Sequence, residues 1–166
     1  MPVRIDAMTE ADIAAVIGMD GPTQMSDEQL RAELLRPWAR LWVAREQRHE
    51  TGEVEVVAFL IAWHVADALH VLNVATRSDH RRRGIARALM RDLVAYGRAA
   101  RVKHVLLEVR RSNTTAIALY RVIGFFAMGV RSRYYPDDED AVEMVLAFDR
   151  ETGEIVAHPD EVKLHT

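Results

Sequence analysis

The chain is 166 residues long, 49% apolar, with a formal net charge of −3, which suits one globular domain with a sizeable core and not two. Cysteine is absent, which excludes a disulfide framework, a thiolate zinc site and a cysteine nucleophile. The longest apolar run, Val56 to Trp63, is far too short to span a bilayer, and the amino terminus, with Asp6 and Glu10, lacks the apolar stretch of a signal peptide, so a soluble cytoplasmic protein with no membrane partner is expected.

Residues 3 to 6 read as a first strand, and Thr9 caps an amphipathic helix that runs to about Met19, where Gly21-Pro22 breaks it. Ser26-Asp-Glu-Gln29 matches a capping box at the head of a second helix that ends before Pro37. Leu41 to Glu46 and Glu53 to Val65 read as two strands around a turn at Thr51-Gly52. A turn at Ala66-Asp67 leads into a third strand, giving an antiparallel meander. Trp38, Trp42 and Trp63 can be a stacking platform, but tryptophan beside strand-patterned apolar residues is more often core or core rim.

The most informative stretch follows. From residue 69 an apolar, β-branched run passes through a polar turn at Arg81-Arg-Arg-Gly84 and becomes apolar at helical spacing, with Ile85, Leu89, Leu93 and Tyr96 on one face and Arg83, Arg87 and Arg91 on the other. His104 to Val109 then forms a second short strand, so residues 69 to 109 read as a strand-helix-strand crossover with its two strands parallel. Ligands of such units sit at the carboxyl ends of the strands, which brings Val74, Ala75, Glu108 and the arginine turn to one place. A helix N-terminus presents unpartnered N–H groups to an anion. Gly84 admits close approach and the arginines favour a polyphosphate, although Arg-x-x-Gly-x-Ala alone also fits an ordinary basic helix start.

A further helix, Ser112 to Tyr120, is capped by Ser112 or Asn113 and closed by Gly124, with Asn113 and Tyr120 projecting from one face. Phe125 to Tyr135 and Ala141 to Phe148 read as a closing hairpin, and residues 150–166 as a tail that is a short extra strand or loosely ordered. His49, His64, His70, His80 and His104 show no metal-ligand spacing, so no metal is expected. Residues 77 to 133 hold 14 Lys or Arg against 3 Asp or Glu, while the segments on either side are net acidic. The basic middle suits anionic phosphates and the acidic flank suits an amine or basic peptide, unless both are merely solvated faces. The arginines are spread over several elements and form no single stripe, so no nucleic-acid partner is expected.

Arg81-x-x-Gly84-x-Ala86, then Leu-Glu108-Val-Arg110-x-Ser112-Asn113-x-x-Ala116-x-x-Leu119-Tyr120-x-x-x-Gly124-Phe125, and later Tyr134-Tyr135-Pro136, resemble the GNAT superfamily of acyl-CoA-dependent N-acetyltransferases. Within it the wording is most similar to the bacterial ribosomal-protein alanine N-acetyltransferases. The resemblance is dense over residues 69 to 146 and thin before. It implies a single mixed α/β (α+β) domain over residues 1–149, with a central six- to seven-stranded sheet flanked by about four helices and a parallel strand-helix-strand acetyl-CoA site.

The resemblance also implies roles. Val74, Ala75 and Thr76 would offer main-chain groups to the pantetheine arm, Arg82, Arg83, Gly84, Ile85, Ala86 and Arg87 would wrap the pyrophosphate, and Asn113 would hydrogen-bond the cofactor. Glu108 and Tyr120 occupy the motif positions of general base and acid, and Tyr134 and Tyr135 those that hold the backbone at a protein N-terminus, possible ribosomal proteins among them. On chemistry alone Glu108 is either a base whose pKa partial burial raises or a strand carboxylate paired with an arginine, and Tyr120 is either a proton donor to a thiolate or a core tyrosine. The expected activity is direct acetyl transfer from acetyl-CoA to an α-amino group in a ternary complex. A small-amine or lysine acetyltransferase and a non-catalytic acyl-CoA sensor are the alternatives. Two departures from the pattern stand out: Gly21-Pro-Thr-Gln-Met25-Ser26 replaces the usual Pro-Trp-Ser, and Ser78 replaces a proline after the cofactor strand.

Overall fold

The computed structural model describes residues 3–19 and 25–164, so Gly21-Pro22 and most of the departing loop lie outside the described residues. Seven strands form one mixed sheet: β1 (Arg4–Ala7), β2 (Ala39–Gln47), β3 (Val54–Val65), β4 (Ala68–Thr76), β5 (His104–Arg110), β6 (Phe126–Arg131) and β7 (Ala141–Ala147), in the order β1-β2-β3-β4-β5-β7-β6. Among the described residues four α-helices accompany it: α1 (Ile13–Ile17), α2 (Asp27–Leu34), α3 (Ile85–Ala99) and α4 (Thr114–Ile123). Contacts divide the chain into two compact units, Met1–His64 with Leu72–Asp92 and Val65–Val71 with Leu93–Thr166. No described helix is long and apolar enough to cross a membrane.

In the first unit, β1 pairs antiparallel with β2 and β2 with β3, as the alternating sequence predicts. Ile13, Val16 and Leu30 pack with Leu41, Val43, Phe59 and Ile61 into a core cluster. The helix expected from Thr9 to Met19 is instead a 3-10 turn, Glu10–Asp12, followed by the five residues of α1. Asp12 is the reason: its carboxylate takes the Thr9 N–H at 2.8 Å and a bidentate contact from Arg45 at 2.7 and 2.8 Å, which holds the first turn tight. The capping box on α2 is present in both directions, Gln29 N–H to Ser26 Oγ at 3.1 Å and Ser26 N–H to Gln29 Oε1 at 2.8 Å. Trp63 packs against the core and donates to buried Glu33 at 3.0 Å, with the Arg36 guanidinium 5.6 Å from the Trp38 ring and 5.7 Å from that of Trp63. These rings serve the core rim.

In the second unit, β4 and β5 pair in parallel from Ala68↔His104 to Val71↔Leu107, and β5 pairs antiparallel with β7, β7 with β6. Along α3, whose residues to Asp92 belong to the first unit and the rest to the second, Ile85, Leu89, Met90, Leu93 and Val94 are buried while Arg87 and Arg91 are exposed. At Gly97 a Cβ would lie 2.9 Å from Leu69 Cδ1 and 3.0 Å from Val102 Cγ2, so the helix approaches β4 closely because that residue has no side chain. The expected hairpin strand to Tyr135 is shorter: β6 ends at Arg131, and Tyr134 and Tyr135 lie in the loop that follows. Beyond β7 the chain returns along the sheet, with a bridge Phe148↔Ile155, His158 stacked on Phe126 at 4.3 Å, and Glu161 N–H bonded to Ala127 O at 2.9 Å.

Arg45 holds both Asp12 and Asp6, the latter at 2.8 Å. Burial raises the Asp12 pKa, but the hydrogen bonds from Arg45 and Thr9 outweigh it, and the net shift is downward. A carboxyl with a lowered folded pKa adds stability above its unfolded pKa of about 3.9 and loses it as pH falls through the folded value. Arg45→Ala should therefore cost about 3 kcal/mol at neutral pH, measured by denaturant unfolding, and the gap from wild type should narrow below about pH 4.

Candidate active site

The turn between β4 and α3 takes its shape from two left-handed residues, Arg82 (φ 64) and Gly84 (φ 77). Alternating hands turn successive N–H groups toward one concavity, an arrangement that binds anions, and the first N–H groups of α3 add the positive end of the helix dipole. A Cβ on Gly84 would meet nothing within 4 Å, so the side the glycine faces is open and it is the backbone hand that favours glycine there. The cradle suits a pyrophosphate.

Most arginines around this turn are already engaged. Arg83 Nη2 lies 2.9 Å from Glu46 Oε2, Arg77 binds Asp79 at 2.6 Å and Glu55 at 3.4 Å, and Arg81 Nε donates to Thr76 O at 3.4 Å. His80, only 9% exposed, sits 2.7 Å from Asp79 Oδ1 and 3.5 Å from Glu46 Oε1. Glu46 thus grips the turn from β2, and the Arg83 side chain is committed to it. Arg82 and Arg87 are exposed and pair with no described residue, leaving two arginine cations for a phosphate. Val74 and Ala75 are half-buried and Thr76 is buried at the end of β4. The ladder with β5 stops at Val71↔Leu107, so among the described residues no strand pairs with that edge of β4 from Leu72 on, although Arg81 takes up the Thr76 carbonyl.

In the second unit Glu108 lies on β5, mostly buried, with Oε2 2.7 Å from His70 Nε2. His70, the partner of Glu108, was not among the site residues expected from the sequence. Its position on β4 is opposite Leu106, which brings its imidazole to Glu108. The expected upward pKa shift of Glu108 is corrected: the His70 hydrogen bond lowers it, burial opposes that, and the charges of His70 and Arg131 lower it further. Glu108 is a carboxylate that can only accept, so His70 Nε2 carries the proton in their bond.

Tyr120 on α4 is 7% exposed, and burial, with the neighbouring Tyr135, pushes its pKa up to about 12. No hydrogen bond engages its hydroxyl among the described residues, so the phenol is a protonated, unspent donor. Asn113 is the N-cap of α4, its Oδ1 taking the Ala116 N–H at 3.1 Å, so of its amide only the two N–H groups remain for a ligand. Tyr134 and Tyr135 meet edge to face at 5.1 Å, the first 45% exposed and the second half-buried. The acidic flank expected to receive a basic acceptor is largely spent: Asp137 and Glu139 bind Arg110 at 2.9 and 3.0 Å, Asp140 binds Arg111 at 3.3 Å, and Glu143 pairs with Arg131.

A parallel crossover, an anion-binding turn at the start of its helix, and a carboxylate–imidazole pair in the same unit as a protonated phenol are the parts of an acyl-transfer enzyme. The model of the Acetyltransferase (GNAT) family matches residues 7–125, and the chain belongs to that family. It is 35% identical over 119 residues, 66% of this chain and 80% of the other, to the ribosomal protein bS18-alanine N-acetyltransferase of Escherichia coli strain K12. It is 41% identical over 76 residues to an N-alpha-acetyltransferase of Sulfurisphaera tokodaii, covering 45% of this chain and 46% of that one. The crystal structure of the Escherichia coli ribosomal-protein-S18-alanine N-acetyltransferase superposes with a TM-score of 0.76 at 26% identity, covering 96% of this chain and 97% of that one. The resemblance seen in the motifs is thereby borne out.

Gly84→Asp keeps a residue type that tolerates the left-handed region but puts a carboxylate into the cradle. Coenzyme A binding, followed by calorimetry, should weaken by about tenfold or more, whereas Arg91→Ala, on the solvent face of α3, should leave it unchanged.

Proposed function

We propose that the protein transfers the acetyl group of acetyl-CoA to the α-amino group at a protein N-terminus, of the ribosomal-protein alanine type. The observation that carries this reading is the His70–Glu108 pair at 2.7 Å on the same unit as the buried, protonated Tyr120. Relatives named ribosomal protein bS18-alanine N-acetyltransferase and N-alpha-acetyltransferase support the acceptor class, and Tyr134 and Tyr135 are the residues proposed to hold the acceptor backbone.

Bound acetyl-CoA supplies a thioester as acyl donor. The turn of Arg82, Gly84, Ile85, Ala86 and Arg87, with the Arg83 main chain, would hold its phosphates, and the unpaired edge of Val74, Ala75 and Thr76 would hold its arm. An α-ammonium of pKa about 8 must lose a proton before it attacks. Glu108, with its lowered pKa, is a weak base alone. Its charge instead fixes the His70 ring with Nδ1 free, and that nitrogen, directly or through a water, takes the proton. The C–S bond breaks as the C–N bond forms, and the thiolate leaves. A phenol near 12 does not fully protonate a thiolate whose conjugate acid sits at roughly 8.5, so Tyr120 stabilises the departing sulfur by a hydrogen bond. The proton that completes the thiol comes from the attacking nitrogen.

The deciding assay is CoA release with acetyl-CoA and a panel of amines: peptides beginning with alanine or serine, the same peptides blocked at the amino terminus with an internal lysine, and spermidine. Release with free-terminus peptides alone is expected; release only with lysine or spermidine would replace the acceptor and keep the chemistry. Glu108→Gln and His70→Gln should each lower kcat by about 10² with little change in acetyl-CoA affinity. Because the His70 hydrogen bond is the main cause of the low Glu108 pKa, His70→Gln should let the Glu108 pKa rise, followed by NMR titration of its carboxyl carbon.

A further inference from the structure

Asp137 to Asp140 is the densest run of acid in the chain, and four adjacent carboxylates left free would repel one another and loosen the loop they occupy. Arg110 prevents this. Its Nη1 reaches both oxygens of Asp137, at 3.0 and 2.9 Å, and Glu139 Oε1 at 3.0 Å. The other oxygen of Glu139 takes the Ser112 N–H at 2.8 Å, and the Glu139 carbonyl takes the Tyr135 N–H at 3.2 Å. The Arg110 guanidinium lies 4.2 Å from the centre of the Tyr135 ring, and its main-chain carbonyl takes the N–H of Asn113, the α4 cap, at 2.9 Å. Arg110 therefore joins β5 to the loop that carries the two tyrosines through its side chain, and to the start of α4 through its carbonyl and through Glu139.

Arg110 follows Glu108 by two positions on β5, so both side chains stand on the same face of the strand. We propose that Arg110 is a positioning residue for the acceptor: it holds the loop of residues 132–140 so that the Tyr135 ring stands on the face that carries Glu108, and it thereby sets affinity for the incoming peptide. A loop ordered in advance need not be ordered by the substrate, and that saving appears as tighter acceptor binding. Lysine cannot replace this arginine, because a point ammonium cannot span two carboxylates and stack flat on a ring at once. The inference rests on the reading of Tyr134 and Tyr135 as acceptor contacts.

The test compares wild type, Arg110→Lys and Asp137→Asn in steady-state assays with a free-terminus peptide, together with hydrogen exchange of the 132–140 amides. Arg110→Lys should raise the acceptor KM by about tenfold, leave the acetyl-CoA KM within about twofold and speed exchange at Tyr135 and Glu139; Asp137→Asn should do the same to a smaller degree, since Glu139 still holds the arginine. Parallel rises in both KM values, or a fall in kcat at constant acceptor KM, would overturn the positioning role. Unchanged exchange would overturn the clamp itself. A wild type that releases no CoA with any free-terminus peptide removes the acceptor reading and the positioning role with it, a result distinct from unchanged exchange because the loop amides are read without substrate.

Discussion

Four parallel residue pairs, Ala68–Val71 against His104–Leu107, are the constraint on which the chemistry depends. Strand side chains alternate, so a slip of one residue would turn His70 away from Glu108 and bury one of them without a partner. The register is held from the helix side: α3 reaches Leu69 and Val102 over Gly97, where a methyl group has no room. A crossover helix packed that closely favours one register of the strand below it. The His70–Glu108 pair thus depends on a glycine with no chemistry of its own.

The motifs were legible because each is local. The phosphate turn needs a left-handed residue before a helix, and Gly84 in front of Ile85 announces it. The α4 cap needs Asx or Ser ahead of an apolar run, and the structure decides between the two candidates in favour of Asn113. The strand-helix-strand order follows from a change of period. His70 was not legible as a functional residue, because its partner is 38 positions away and is reached only through the ladder. The direction of the Glu108 pKa failed for the same reason: its sequence neighbours are apolar, but the group that faces it comes from another strand.

Two further differences have local causes. Tyrosine has high strand propensity, which extended the expected strand to Tyr135; the turn after Arg131 and the acid clamp on Arg110 overrule it. Regional charge was a poor guide to the acceptor, because a count of acids and bases does not say which are already paired. Arg83 shows this on the basic side and Asp137 and Glu139 on the acidic side. Around the turn, Arg82 and Arg87 are the arginines with no partner among the described residues.

The segment after β7 has little apolar content, yet it occupies both main-chain groups of Ala127: the N–H goes to Asp160 Oδ1 at 2.9 Å and the carbonyl to the Glu161 N–H at 2.9 Å. Arg121 fastens it through Asp160 at 2.6 Å. β6 is the last strand of the sheet, and an outermost strand with unpaired amides is a template for aggregation and strand exchange. The returning segment closes that template with two bonds, and the register irregularity between Ala127 and Gly129 spoils what remains of its regular spacing. Residues beyond the stretch matched by the family model therefore decide whether the sheet can grow at its β6 edge by adding a foreign strand.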